Sequence, residues 1–75
     1  MGGRAALHPR AAEEIARGYR YAAEPDLERA EIAFAHALEF DPDIPEALNG
    51  LGIVARTRGD LEGALRRFER AVRLA

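Results

Sequence analysis

The chain has 75 residues, a formal net charge of −2 and no cysteine. This length allows one small domain, and without cysteine neither a disulfide nor a thiolate metal site can stabilise it. No apolar run approaches the ~20 residues that a transmembrane helix needs, and the first residues lack the apolar centre of a signal peptide. We therefore expect a cytoplasmic protein that has no membrane partner.

The first predicted element is a helix over residues 9–23, preceded by a flexible N-terminal tail over residues 1–8. The tail contains two glycines and shows little periodicity. Pro9 suits the first turn of a helix, because the N–H that it lacks would have no partner there in any case. Pro25 disfavours the helical conformation of the preceding residue, so the helix should end just before that residue.

The second predicted helix covers residues 27–40. Asp26 is a good N-cap, since its carboxylate can accept a hydrogen bond from the first turn. Apolar residues then follow at helical spacing along one face. The segment from Asp41 to Pro45 contains two prolines and separates this helix from the next one.

The third and fourth predicted helices cover residues 45–58 and 61–74. Pro45 opens the third helix, and Gly59 is placed to end it in a left-handed conformation. Asp60 then caps the fourth helix. No segment alternates as a strand does, so the predicted fold class is all-α, with four helices in two antiparallel hairpins.

A set of small and aromatic residues recurs at an offset of 34 residues and indicates that the two hairpins stack. A repeat of this period is typical of helix–turn–helix units that cannot bury their apolar faces alone. We expect the glycine of each hairpin to face its first alanine, and the phenylalanines to fill the space between hairpins. The recurring residues are Gly18, Ala30, Phe34 and Ala37, which return as Gly52, Ala64, Phe68 and Ala71.

These residues resemble the tetratricopeptide repeat (TPR), whose pattern is W-x2-L-G-x2-Y, then A-x3-F, then a closing Pro. The resemblance implies a single domain over 9–75, an α-solenoid fragment with one repeat over 11–44 and another over 45–75. Glu14 and Arg17 stand where the family has Trp and Leu, which suggests that the first repeat caps a stack. The matching residues are Gly18, Tyr21, Ala30, Phe34 and Pro42 in the first repeat, and Leu51, Gly52, Ala64 and Phe68 in the second.

The resemblance also implies a binding surface for a protein or peptide. TPR arrays use the inner face of each hairpin's first helix as a groove for a peptide or a partner helix. A row of exposed Ile, Tyr and Ile would suit an amphipathic or extended ligand. The alternative is that Ile15 and Tyr19 pack inside a distorted first hairpin. By position, the groove residues are Ala12, Ile15, Tyr19, Ala22, Glu46, Asn49, Ile53 and Arg56.

Self-assembly is the alternative function. At least three repeats are normally needed for a stable stack, and here no further helix follows the fourth one. We therefore expect Leu65, Val72 and Leu74 to face solvent or a neighbouring molecule. Residues 1–44 carry five Arg and nine carboxylates, whereas residues 45–75 carry six Arg and four. Head-to-tail attraction between copies is therefore conceivable, but a two-fold homodimer through the last hairpin would bury more apolar surface.

Other functions find little support in the sequence. Thr57 is the sole hydroxyl nucleophile besides the tyrosines, and His8 and His36 have no metal-ligand spacing, so we expect neither an enzyme nor a metal or other cofactor. A sequence pI of about 5.6 argues against nucleic-acid binding. The arginines of the last helix are interpreted as a solvated outer face, because glutamates are interleaved with them.

Overall fold

The computed structural model describes residues 7–74, and this part of the chain forms four helices and no strand. These are α1 (Pro9–Ala23), α2 (Leu27–Phe40), α3 (Pro45–Thr57) and α4 (Leu61–Leu74). Helix α1 packs against α2 and α3 against α4, and α3 also contacts both helices of the first hairpin. The predicted all-α architecture of two stacked antiparallel hairpins is confirmed.

The start of the first helix involves two residues that the sequence analysis placed in the tail. Leu7 packs against the core, and the His8 Nδ1 atom accepts a hydrogen bond of 3.1 Å from the Arg10 backbone N–H. The His8 ring also stacks on Phe40, with ring centroids 4.6 Å apart. These two residues therefore pack with the helices, just before α1 begins, while the rest of the predicted tail, residues 1–6, lies outside the described residues.

The turns inside the two hairpins use the predicted caps. Asp26 accepts a 3.1 Å hydrogen bond from the Arg29 N–H, and Asp60 accepts one of 2.9 Å from the Gly63 N–H. Gly59 adopts φ 89°, the left-handed conformation that glycine accepts without strain. The first hairpin has Pro25 in its turn, which cannot adopt positive φ, so the two turns differ although the helices that they join are equivalent.

The core lies between the first hairpin and α3 and is built mostly from small side chains. Three large side chains are fully buried, Phe34, Ile44 and Val54. Alanines fill most of the remaining space, which lets the helix backbones approach each other closely. The buried cluster consists of Ala11, Ile15, Ala30, Phe34, Ala37, Ile44, Ala47 and Val54.

Gly18, Gly50 and Gly52 pack against phenylalanine rings, not primarily against the alanines that the recurrence suggested. A Cβ atom placed on Gly18 would lie 2.5 Å from the Phe34 ring, and one on Gly52 would lie 2.5 Å from the Phe68 ring. Each ring therefore lies across the backbone of the neighbouring helix in its own hairpin. Gly50 of α3 covers Phe34 from another direction with equally little room, a contact that the sequence analysis missed.

Candidate functional site

A cleft of about 540 Å³ opens between α3 and α4, with a residue of α1 at its edge. The residues on its α4 side are mainly apolar, while α3 supplies the polar side chains. This combination of an apolar surface with a few placed polar groups is typical of a binding site. The lining residues are Tyr19, Pro45, Glu46, Asn49, Phe68, Ala71 and Val72.

Tyr19 is held at the edge of this cleft by contacts with both hairpins. Its hydroxyl donates a hydrogen bond of 2.8 Å to the backbone carbonyl of Glu46 and accepts one of 3.4 Å from the Asn49 Nδ2 atom. Its ring meets Phe34 edge-on, with centroids 4.9 Å apart and an interplanar angle of 76°. The Tyr19 side chain therefore has a defined position, although the residue is 36% exposed.

The aromatic residue on the α4 side of the cleft, Phe68, is equivalent to the fully buried Phe34. The Phe34 ring is enclosed by Gly18 of its own hairpin and Gly50 of the next. Gly52 takes the place of Gly18 beside Phe68, but no residue of the described chain takes the place of Gly50. Phe68 is consequently only half-buried, so the cleft lies where a further helix would complete the packing.

The cleft contains three of the predicted groove residues, Tyr19, Glu46 and Asn49. The prediction that Ile15 is an exposed groove residue is wrong, because Ile15 is only 9% exposed and packs within the core cluster. Ala22 is half-buried against the same cluster. The alternative noted from the sequence therefore applies to Ile15, whereas Tyr19 contacts the core and lines the cleft as well.

The remaining predicted groove residues lie outside the cleft lining. Ala12 is exposed on α1 and Ile53 is half-buried on α3. The Arg56 guanidinium lies over the Phe68 ring, 5.8 Å from its centroid, which is within range of a cation–π contact. Arg56 thus contacts the aromatic residue of the cleft without lining the cleft itself.

The α4 half of the cleft was missed as a groove from the sequence. The sequence analysis assigns Phe68 and Ala71 to packing within the repeat and Val72 to self-association. The 34-residue recurrence could have indicated this half of the cleft if whole helix faces had been compared. The equivalent residues of α2, Phe34, Ala37 and Leu38, pack in or against the core.

Helix α4 also carries an exposed apolar stripe, defined as Leu61, Leu65, Phe68 and Val72. These positions follow i, i+4, i+7 and i+11, so they share one helix face. Leu61 is 67% exposed, Leu65 57% and Val72 75%. Leu74, the third residue predicted for self-association, is half-buried.

Residues 7–74 hold neither a metal-binding cluster nor a membrane-spanning helix. No three His, Asp or Glu side chains there lie close enough to hold a metal ion. None of the four helices is long and apolar enough to cross a membrane.

Comparison with known proteins identifies no relative: no family model matches the chain, and neither a curated protein nor a solved structure matches it significantly. The resemblance to TPR therefore rests on the residues of the two units. The proposed function is therefore based on the geometry of the cleft.

Proposed function

We propose that this protein is a TPR-like interaction module that binds a helix of a partner protein in the cleft between α3 and α4. The observation that carries the proposal is the incomplete cover of Phe68. An aromatic ring that is fully buried in the first hairpin is open to a cleft of about 540 Å³ in the second. Burying such an apolar surface is the main favourable contribution to protein association.

The chemistry of the cleft favours a helix over an extended peptide. An extended ligand leaves its backbone N–H and C=O groups in need of partners, and these usually come from the edge of a sheet. Residues 7–74 contain no strand, and the cleft offers few polar side chains. A helix satisfies its own backbone and can present an apolar face to Phe68, Ala71 and Val72.

Peptide display tests this proposal. The immobilised full-length chain selects peptides from a library of amphipathic helices, and each selected peptide is measured against two variants. Val72→Glu places a charge in the cleft at a residue that is 75% exposed, so the fold should tolerate it. Ile32→Glu is the matched control, because Ile32 is also an exposed apolar residue but lies on α2. Binding should be lost with Val72→Glu and retained with Ile32→Glu.

The variant Ile53→Glu separates the cleft from the groove that the family resemblance implies. Ile53 lies on α3 outside the cleft lining. Loss of binding with Ile53→Glu but not with Val72→Glu would move the site to the inner faces of α1 and α3. If no selected peptide distinguishes Val72→Glu from the unmodified chain, the cleft is not the binding site.

Self-assembly is the second candidate function, and the exposed stripe on α4 favours it. Two copies could bury Leu61, Leu65 and Val72 against each other around a two-fold axis, which gives a closed dimer. Light scattering coupled to size exclusion tests this function directly. A dimer that Leu65→Glu dissociates would support it, whereas a monomer at near-millimolar concentration would exclude it.

The proposed role is binding, without catalysis, and its place is the cytoplasm. The helices also present many Arg and carboxylate side chains to solvent, as surface pairs such as Arg17–Glu14 illustrate. Such a surface suits a protein that meets its partners in water.

A further inference from the structure

Building on the proposed function, we infer that the partner helix resembles α3 of this same chain. It carries a glycine over Phe68, aliphatic residues beside that position, and an aliphatic residue eight positions later over Leu65. Helix α1 of a second copy of this chain does not fit this description.

The cleft is equivalent to a covered surface of the first hairpin. The cleft is related by the 34-residue offset to the surface of the first hairpin on which α3 lies. On the α4 side phenylalanine and alanine are retained and leucine changes to valine, whereas on the α3 side Glu46 and Asn49 stand where the first hairpin has Ala12 and Ile15. The cleft is also continuous with that covered surface, because Tyr19 contacts Phe34 and lines the cleft. The equivalent residues are Ala11 and Pro45, Phe34 and Phe68, Ala37 and Ala71, and Leu38 and Val72.

Helix α3 places a glycine with leucines beside it against the covered surface. Gly50 lies on the Phe34 ring so closely that even a Cβ atom would displace the ring. Leu48 and Leu51 flank this contact and line a surface crevice together with Leu38. A helix that covers Phe68 in the same way must therefore have a small residue at the contact and aliphatic residues beside it.

The two surfaces differ at the position of Glu31. Arg58, just after α3, forms an ion pair of 2.7 Å with Glu31 of α2. The residue equivalent to Glu31 is Leu65, which is 57% exposed. A cation at the Arg58 position would meet the apolar side chain of Leu65 there in place of the Glu31 carboxylate. The matching helix should therefore carry an aliphatic residue at this position, eight residues after the small one.

Head-to-tail stacking of a second copy of the chain would not supply a suitable helix. The helix equivalent to α3 is α1, which would have to fill the cleft if copies stacked head to tail. Most residues that α1 would place there are charged, and burying charges without partners is costly. In place of Ile44, Ala47, Leu48, Gly50, Leu51 and Val54, α1 has Arg10, Glu13, Glu14, Ala16, Arg17 and Arg20. Head-to-tail stacking therefore does not fit.

Helix α3 supplies the probe for the test. The first peptide has the sequence of residues 44–58 with Arg58→Leu, and it carries a fluorophore and blocked ends. The second peptide adds Gly50→Leu, and the third keeps Arg58. Fluorescence anisotropy against the full-length chain measures each Kd. The Gly50→Leu peptide should bind at least about tenfold more weakly, although leucine favours a helix more than glycine does. The peptide that keeps Arg58 should fall between the two.

Two protein variants locate the peptide. Val72→Glu should weaken binding of the first peptide by at least about tenfold, and Ile32→Glu should leave it unchanged. Circular dichroism on both variants verifies that the helices are intact. Equal Kd values for the first two peptides would overturn the inference, as would an absence of binding up to millimolar concentration.

The alternative occupants give distinct results. If display-selected helices bind at Val72 but lack the small residue, the proposed function stands and the inference about its partner is wrong. If light scattering shows a dimer that Val72→Glu dissociates, a second copy occupies the cleft, which also overturns the inference. If the cleft accepts neither selected helices nor the α3 peptides, the proposed function fails together with it.

Discussion

The Tyr19 hydroxyl donates a hydrogen bond of 2.8 Å to the backbone carbonyl of Glu46 and so joins the first hairpin to the second. The bond connects α1 with the first turn of α3, where the cleft begins. Asn49 donates to the same hydroxyl over 3.4 Å. The edge of the cleft is therefore part of the contact between hairpins, and a change there should affect both stability and binding.

Replacing Tyr19 by Phe should lower the free energy of unfolding by about 0.5–1.5 kcal/mol, the usual net contribution of one hydrogen bond. The lower half of this range is expected, because Tyr19 is 36% exposed and water can reach the carbonyl that loses its donor. Urea denaturation followed by circular dichroism gives the free energy directly.

Tyr21→Phe is the matched control for this change. Within the described residues the Tyr21 hydroxyl makes no hydrogen bond, although its ring packs against the core and lies 6.0 Å from the Arg29 guanidinium carbon. This variant should unfold at the same urea concentration as the unmodified chain. An equal loss in both variants would mean that the Tyr19–Glu46 bond does not contribute.

Gly18→Ala and Gly52→Ala should differ in cost, although the two glycines are equivalent in the repeat. Each new methyl group would lie 2.5 Å from a phenylalanine ring, and alanine gains about 1 kcal/mol over glycine in a helix. Phe34 is fully buried and cannot move away, so Gly18→Ala should lower stability by about 1–3 kcal/mol through overpacking. Phe68 can swing into the open cleft, so Gly52→Ala should be close to neutral.

Thermal and urea unfolding of the two variants test this difference. Gly50→Ala adds a further comparison, since it also presses on the enclosed Phe34 ring and should behave as Gly18→Ala does. If Gly52→Ala is as damaging as Gly18→Ala, Phe68 is not free to move and the cleft is narrower than the structure indicates.

Local chemistry allowed the helices to be predicted from the sequence. Prolines, Asp caps and a glycine at the end of α3 act within a few residues, so they set boundaries without reference to the rest of the fold. α3 ends at Thr57, one residue before the predicted end. Stacking of two hairpins followed from the 34-residue recurrence, because equivalent residues must serve equivalent contacts.

The candidate site was predicted only in part, because it depends on contacts between helices. Ile15 and Tyr19 lie on one face of α1, yet the first is buried in the core and the second reaches the cleft. Helical spacing cannot separate them, since the difference arises from where α3 crosses α1. For Phe68 the recurrence predicted the role that Phe34 has, but the open cleft leaves it half-exposed.

Gly59→Ala should lower stability by about 1–2 kcal/mol through backbone strain alone. Gly59 has φ 89°, and a Cβ atom there would contact nothing within 4 Å. Loss of packing therefore plays no part. For a domain of this size, such a change lowers Tm by roughly 4–8 °C for each kcal/mol. Differential scanning calorimetry measures the shift.

Gly59→Asn serves as the control, since asparagine tolerates the left-handed conformation better than alanine and is found at helix ends. It should restore part of the loss. Equal Tm values for the alanine and asparagine variants would show that the backbone relaxes out of the left-handed region.

Two exposed ion pairs should contribute little to stability: Arg58–Glu31 joins the second hairpin to α2, and Arg70–Asp43 joins α4 to the loop before α3. Their N–O distances are 2.7 and 2.8 Å, but all four side chains are between 41% and 55% exposed. A double-mutant cycle with Glu31→Gln and Arg58→Gln should give a coupling energy of about 0.2–1 kcal/mol at low salt. In 1 M NaCl, where the screening length is about 3 Å, the coupling should approach zero. A coupling energy that persists at high salt would mean that the pair is shielded from solvent. Removal of Glu31 would then disturb the packing of α3 against the first hairpin.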